Sequence, residues 1–405
     1  MKKIYLSFPA LVCCAGLNAN ELYESCLSGN QSGFVTRKFD NRDFSACQIK
    51  NDLPKVDLQG FALPSYAGDT RIIRIINMAV SQLSSYIKKA ITKYGREKVG
   101  ICLGSCDNGS EASNMAHKAF LENGSFPKDY NLHFQSASFP AEFIAAMFGI
   151  KGPVITAATA CASGASAIIR GAELIKSGIC DAVIAGGADI VSQTVFTGFN
   201  VLEAVSDKLS NPFSKNRKGI NLGEAAAFFL LESEQISDIE LLGTGESSDA
   251  YHMTAPGEDG EGPVKAMRAA LKDAGVSSGK IDYINLHGTG TVLNDKAESF
   301  ALRTVFNSSM PPASSTKPVT GHTMGAAGAL EAAICWMVLN ERRGLPVHCW
   351  DGEADEGAPV FLVPLSSQTG NVNPVLKTPS ICMTNNFAFG GCNVSLIIGR
   401  KNDRI

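Results

Sequence analysis

The chain has 405 residues, 45% of them hydrophobic and 19% charged, a composition that suits a globular protein of one large or two modest domains. With 36 Lys and Arg against 39 Asp and Glu, the net charge is −3, so no whole-molecule field draws the chain to nucleic acid or to an anionic membrane. The 39 glycines and 17 prolines exclude collagen-like and low-complexity classes.

The amino terminus, with Lys2 and Lys3, an apolar stretch to Leu17 and then Asn18-Ala19-Asn20, has the outline of a signal peptide. Pro9 interrupts the run and no small-x-small site precedes Glu21, so Ile4 to Phe8 is read instead as a buried first strand. Elsewhere no uninterrupted apolar run reaches about 18 residues, and no membrane span is predicted. Strands and helices then alternate, which points to an α/β fold class. Val154 to Ala160 is strand-like. From Cys161 to Ser177 the polar Arg170, Glu173 and Ser177 recur three and four apart, Ile168, Ile169, Ala172 and Ile175 fill the other face, and Gly178 is a stop. Cys180 to Ala185 is a strand ending in Gly186-Gly187.

A second half begins after Leu230-Leu231-Glu232-Ser233-Glu234. Pro263 opens a helix with Val264, Met267, Ala270, Leu271 and Ala274 on one face, closed by Gly275. The strand Ile281 to Leu286 delivers His287 into Gly288-Thr289-Gly290-Thr291. A loop from Ser314 to His322 leads into an Ala/Gly-rich helix from about Gly325 to Asn340. Ser380 to Thr384 is a strand running into Phe387-Ala388-Phe389-Gly390-Gly391. The halves share no readable sequence repeat.

The twelve cysteines are scattered, without a Cys-x-x-Cys pair or a zinc-type His-Cys cluster. Most lie in apolar runs, where a free thiol acts as a small hydrophobe. A reducing, cytoplasmic setting is the expectation. Cys161 stands apart, because at a strand-to-helix junction unpaired backbone N–H groups and the helix dipole favour thiolate. Its small neighbours Ala160, Ala162, Ser163 and Gly164 are expected to leave it approachable. Of six histidines, only His287 and His322 sit in Gly-rich loops after strand-like segments; His117, His133, His252 and His348 lack such a setting. Gly243-Thr244-Gly245 and Gly321 to Gly328 complete no dinucleotide fingerprint and contain no Gly-Lys-Ser/Thr, so phosphate cradling is rejected.

Together these segments resemble the elongating β-ketoacyl-acyl-carrier-protein synthases of the thiolase superfamily, in the family's order and over nearly the whole chain. The resembling motifs are Thr159-Ala160-Cys161-Ala162-Ser163-Gly164, then Pro212-Phe213 through Asn221-Leu222-Gly223-Glu224-Ala225, His287-Gly288-Thr289-Gly290-Thr291, Lys317 with Gly321-His322, Gly325-Ala326-Ala327-Gly328, and Phe387 to Asn393. The resemblance implies a thiolase-like five-layered α-β-α-β-α fold of two similar halves. Residues 1–238 would carry the nucleophilic cysteine and 239–405 the two catalytic histidines. It implies that Cys161 accepts an acyl group, that His287 and His322 promote decarboxylation of malonyl-carrier protein, and that Lys317 orients His322 with help from Glu331. Backbone N–H groups of Cys161 and Phe389 would form an oxyanion hole, with Phe389, Phe387 and Ala388 in a gating loop. Acyl carrier protein is the implied partner, with Arg71 and Arg74, three apart on a helix, as docking residues. The second chain of the implied dimer is a copy or a chain-length factor. No metal or redox cofactor is required.

The sequence also departs from the family. Ala388 replaces a usual glycine, Asn386 a serine, Asn211 an arginine that faces the carrier, Ser214 an aspartate and Lys218 an acidic residue. Gly219 to Glu224 and Asn285-Leu286-His287 read closer to ketosynthases of aryl-polyene clusters than to housekeeping fatty-acid enzymes. A thiolase would share the fold with a Cys-His-Cys set, and Cys382 and Cys392 keep that alternative open, although the second histidine loop with Lys317 favours the decarboxylating branch. An initiation synthase would carry asparagine in place of one histidine. A catalytically silent chain-length factor would lack Cys161.

Overall fold

The computed structural model describes residues 2–39, 42–56, 69–107, 109–128, 130–257, 259–359, 362–364 and 378–401. In the first half the strands are β1 (Tyr5–Leu6), β2 (Ala10–Cys13), the hairpin β3 (Phe34–Phe39) and β4 (Arg42–Cys47), β5 (Val99–Gly104), β6 (Val154–Ala157), β7 (Ala182–Asp189) and β8 (Ala225–Glu232). The second half contributes β9 (Ile239–Ser248), β10 (Tyr283–Asn285), β11 (Ala313–Ser314), β12 (Ile381–Phe387) and β13 (Cys392–Arg400). The principal sheet runs β11-β10-β12-β13-β9-β1-β8-β7-β5-β6, with β2 also on β8.

Each half repeats one pattern. In the first, β6, β5 and β7 are parallel neighbours and β8 is antiparallel to β7; in the second, β11, β10 and β12 are parallel neighbours and β13 is antiparallel to β12. Short β1 pairs with both β8 and β9 and so joins the two half-sheets.

Strand side chains alternate between two buried faces, which is why these strands read as continuous apolar runs. In β7, Val183 and Ala185 enter the central cluster while Ala182 and Ile184 enter an outer one. In β12 and β13, Cys382, Leu396 and Ile398 face the centre, and Ile381, Met383 and Ile397 face the opposite outer cluster. The centre is filled by the helices Ser163–Lys176 and Ala327–Glu341, the second of them buried from Ala327 to Leu339. Outer helices, among them Arg71–Ser81 on one side and Glu261–Ala274 on the other, complete five layers. The fold is thiolase-like, as the sequence resemblance implies.

The two central helices approach closely because their facing residues are small. A Cβ on Gly164 would lie 3.0 Å from the Ala329 backbone nitrogen, and one on Gly328 would lie 2.7 Å from the Ala165 Cβ. The smallness around Cys161 therefore serves helix contact, and Cys161 itself is only 5% exposed, contrary to the expected approachable thiol.

Element limits differ from the sequence reading mainly at starts. The helix expected from Cys161 begins at Ser163, because Ala160–Ala162 forms a separate 3-10 turn. The helix expected from Pro263 begins at Glu261 and closes at left-handed Gly275 as expected. The cysteine reading also needs correction. Cys14 and Cys47 are joined in a disulfide with Cα atoms 5.6 Å apart, brought together when Cys47 bonds its N–H to the Leu222 carbonyl. Among the described residues no helix is long and apolar enough to cross a membrane.

Candidate active site

Cys161 sits where β6 gives way to the first central helix. Ala160 takes a φ of 48°, a left-handed conformation that costs a non-glycine residue roughly 1–2 kcal/mol. Ser163 holds the turn, its Oγ accepting from the Thr159 N–H at 2.9 Å and donating to the Ala160 carbonyl at 2.6 Å. The sequence reading expected a thiolate here, yet burial pushes the Cys161 thiol up to about 12, against the opposing pull of the Lys317 charge and of the Phe389 and Cys161 backbone N–H groups on Sγ. Desolvation wins because the thiol is buried. At neutral pH the residue is a thiol.

His322 answers that protonation state. Its Nε2 lies 3.0 Å from Cys161 Sγ, within reach to take the proton as sulfur attacks. Its backbone is clamped by the first half: the His322 N–H donates to the Asn221 carbonyl at 2.7 Å, and the His322 carbonyl accepts from Gly223 at 2.9 Å. The segment Asn221 to Glu224 is thus a strap on the histidine loop, and Glu224 is fixed in turn by the Ile49 N–H and by Arg71.

His287 leaves the end of β10. Its N–H and that of Gly288 donate to the two carboxylate oxygens of Glu298, at 2.8 and 2.7 Å. The His287 and His322 rings meet edge to face with centroids 5.6 Å apart. Burial, reinforced by the charge of Lys317, holds both imidazoles well below the usual histidine range, so both are neutral under ordinary conditions.

Lys317 is 1% exposed. Its ammonium donates to Glu331 Oε1 at 2.5 Å and to the His287 carbonyl at 2.5 Å, and faces His287 Nδ1 at 3.5 Å. The expected partner was His322; Lys317 touches His287 instead. An ammonium facing Nδ1 leaves that nitrogen as acceptor and puts the ring proton on Nε2. The other Glu331 oxygen accepts from Asn386 Nδ2 at 2.6 Å, which gives the unusual asparagine a use: its amide completes the shell of a buried ion pair.

The loop expected to act as a gate lies over the site. Phe389 packs against Phe199 with ring centroids 5.5 Å apart, and the space left between Cys161, Phe199, His287, His322 and Phe389 is about 20 Å³. Ala388 has φ −94°, so its backbone is extended and alanine is unstrained here. Gly390 and Gly391, at φ 82° and 75°, carry the turn. Arg71 and Arg74 lie outside this group: Arg71 pairs with Glu224 and Arg74 with Asp69 at 2.7 Å. His348 is buried elsewhere, its Nδ1 accepting from Ser315 and its Nε2 donating to the Pro212 carbonyl.

Three buried carboxylates escaped the sequence reading. Glu298 is pushed by burial to about 8 despite its two N–H donors. Asp295, raised by burial to about 6, accepts from Phe213 and Gly290. Asp189, also raised by burial to about 6, accepts from Ser105 Oγ and from the Cys106, Asp107 and Gly325 N–H groups, tying the ends of β5 and β7 to the turn after His322. A signal was available, since an acidic residue closing the apolar run Ala182–Ala188 invites the question of what it bonds.

A buried cysteine facing two neutral histidines across the centre of this fold is the set that the resemblance implies for the elongating condensing enzymes of the thiolase superfamily. Residues 76–236 match the family model "Beta-ketoacyl synthase, N-terminal domain" and residues 239–348 match "Beta-ketoacyl synthase, C-terminal domain". A 3-oxoacyl-[acyl-carrier-protein] synthase 2 of Vibrio cholerae is 36% identical over 323 residues, covering 75% of this chain and 76% of the relative. The protein of that name from Coxiella burnetii is 29% identical over 99% of both chains. Among solved structures, the ketosynthase ApeO in complex with its chain length factor ApeC from Xenorhabdus doucetiae matches with a TM-score of 0.87 at 36% identity over 98% of each chain. The ishigamide ketosynthase/chain length factor matches with a TM-score of 0.85 at 28% identity over 98% of this chain and 99% of the other. The chain belongs to the beta-ketoacyl synthase family.

Proposed function

We propose that the chain is a β-ketoacyl-acyl-carrier-protein synthase that joins an acyl group held on Cys161 to a malonyl unit by decarboxylative Claisen condensation. The observation that carries this reading is the 3.0 Å approach of His322 Nε2 to Cys161 Sγ, with His287 beside it held neutral. In loading, sulfur attacks the acyl thioester carbonyl, His322 takes the thiol proton, and the carrier thiolate leaves and recovers a proton. In condensation, the malonyl carboxylate departs as CO₂ and the enolate attacks the acyl carbon, releasing the Cys161 sulfur. The Nε2–H of His287 donates to the enolate oxygen as charge develops, and the Cys161 and Phe389 N–H groups donate to the tetrahedral oxyanion. Phe389 must swing away from Phe199 for substrate to enter.

Residues 1–238 supply the nucleophile and 239–405 the histidines, as two halves of one cytoplasmic enzyme. The carrier docks beside Arg71 and Arg74, on a groove of about 720 Å³ that also presents Arg37, Lys50 and Lys55. This basic lining complements an acidic carrier. Because both arginines already bind carboxylates, charge reversal at them should raise KM for acyl-carrier protein and lower stability together; unchanged kinetics across ionic strength would remove them from docking. The second chain, a copy or a chain-length factor, covers the face where β6 ends the sheet. There Val154 and Ile155 are each 36% exposed. The wording of Gly219 to Glu224 supports the aryl-polyene branch.

The test is product analysis after incubation with acyl- and malonyl-loaded carrier proteins. A β-ketoacyl product with matching CO₂ release supports the reading, and acyl transfer without carbon–carbon bond formation overturns it.

A further inference from the structure

Beside the bridge between Cys14 and Cys47 the chain has ten free cysteines. A disulfide scaffold leaves few thiols unpaired, whereas one bridge in a chain rich in free thiols is the pattern of a redox-responsive pair. Cys14 follows β2 and is partly exposed, while Cys47 ends β4 and is fully buried.

The bridge adjoins the histidine side of the candidate site. Cys47 donates its N–H to the Leu222 carbonyl at 2.8 Å and accepts from the Glu224 N–H at 3.1 Å, and Gly223 between them joins Asn221 in clamping the His322 backbone. On its other flank the bridge lies on the short helix Lys317–Thr320. There Cys47 Sγ is 3.4 Å from the Val319 carbonyl oxygen and Cys14 Sγ is 3.5 Å from that of Thr320. A Cβ on Gly321 would lie 2.7 Å from the Cys47 Cβ, so the residue before His322 has no slack against the bridge. Two thiols cannot occupy the space of one disulfide, and on reduction the sulfurs must separate to contact distance. What they meet is the strap and the turn that together set His322. The Val319 and Thr320 carbonyls can accept from the two S–H groups, so the open pair also has partners.

We propose that Cys14 and Cys47 form a reversible thiol–disulfide switch, whose closed bridge holds His322 against Cys161 and whose opening slackens that approach. The co-reactant is a low-molecular-weight thiol of the glutathione class. Its thiolate attacks Cys14 Sγ, the more exposed sulfur, forms a mixed disulfide and expels the Cys47 thiolate, which takes up a proton. A second thiolate attacks the small-molecule sulfur of the mixed disulfide and releases the oxidised dimer and the Cys14 thiolate, which is protonated in turn. Two electrons pass from the two small thiols to the protein pair, and the reverse sequence closes the bridge. The inference rests on the reading of His322 as the base for Cys161 and adds a regulation of that site.

The test equilibrates the native protein with glutathione buffers from oxidised to reduced and removes the buffer without air. Peptide mass analysis then reads alkylation of Cys14 and Cys47, hydrogen exchange reads segments 219–224 and 317–323, and an acyl pantetheine thioester reads single-turnover acylation of Cys161. With the pair reduced, acylation should fall by roughly tenfold or more, the scale of a reacting group misplaced by less than ~1 Å, and exchange at the His322 and Gly223 N–H groups should quicken. Both should return on reoxidation, with the midpoint at which the pair closes. The double variant Cys14→Ala, Cys47→Ala should acylate at the reduced rate in every buffer; if it does not fold, the native comparison still decides. A pair that stays bridged in the most reducing buffer, or that opens without change in exchange and acylation, overturns the switch. Should the native protein load no donor in either state, the acyl-carrier reading fails, and the exchange midpoint alone upholds or overturns the switch.

Discussion

The two sides of the candidate catalytic centre are built by opposite means. The nucleophile side is made of small, uncharged residues: a turn through Ala160, a serine clamp and a glycine contact between helices. The histidine side is held by buried ionisable groups, with Lys317 between Glu331 and His287 and with Glu298 accepting from the His287 and Gly288 N–H groups. The difference teaches that the first side fixes one sulfur by backbone shape, whereas the second fixes the tautomer of His287 and keeps both rings neutral. Shape suffices for position; proton placement needs charges.

The comparison breaks most visibly if the buried charge is removed. Lys317→Met leaves Glu331 unpaired in the interior and should cost about 3–5 kcal/mol of stability. The double variant Lys317→Met, Glu331→Leu should recover much of that loss while condensation stays impaired. Chemical denaturation and condensation assays together read both effects. A Lys317→Met variant as stable as the parent would mean that the charge network is not what holds this side.

Next in size is the split between half-reactions. His287→Ala should slow condensation by about 10²-fold or more, the scale of a lost oxyanion donor, while loading changes only a few-fold. His322→Ala should slow both, because its Nε2 lies on the sulfur. Equal loss of both half-reactions in His287→Ala would erase the division of roles.

The protonation state gives a finer test. With its folded value pushed up to about 12, Cys161 is a thiol through the neutral range, and the thiolate fraction grows as pH rises. Iodoacetamide alkylation of Cys161 should therefore climb roughly tenfold per pH unit from pH 6 to pH 9. A plateau below pH 8 would show a preformed thiolate. The smallest effect is at Ala388: with φ −94° in the closed state, Ala388→Gly can gain only in the open loop. That is about 1 kcal/mol at most, or about fivefold in loading by bulky donors and nothing for short ones. Graded-donor loading rates would show it.

Much of this was legible in the sequence because it depends on local rules. Gly178 and Gly275 end their helices as left-handed stops, the apolar runs at 182–188 and 225–231 are strands buried on both faces, and Cys161, His287 and His322 stand at element ends where loops can bring them together. What was not legible depends on residues distant in the chain. Cys14 and Cys47 are 33 residues apart and meet only because the β3–β4 hairpin folds against the Leu222 strap. The partner of Lys317 is set by where β10 ends beside the loop at 317–322. The raised Cys161 value reflects burial by both halves at once, against which a helix-start argument is weak.

The central claim is that Cys161 alone carries the acyl group, in a centre completed by the histidine side. Intact-mass spectrometry of the native protein and of Cys161→Ala after exposure to an acyl-carrier-protein panel tests it most directly. The account predicts one acyl mass added to the native chain, mapped to Cys161 by peptide analysis, and none on a folded Cys161→Ala chain. A stable acyl adduct on the Cys161→Ala chain, or a native adduct mapping to another residue, would contradict it.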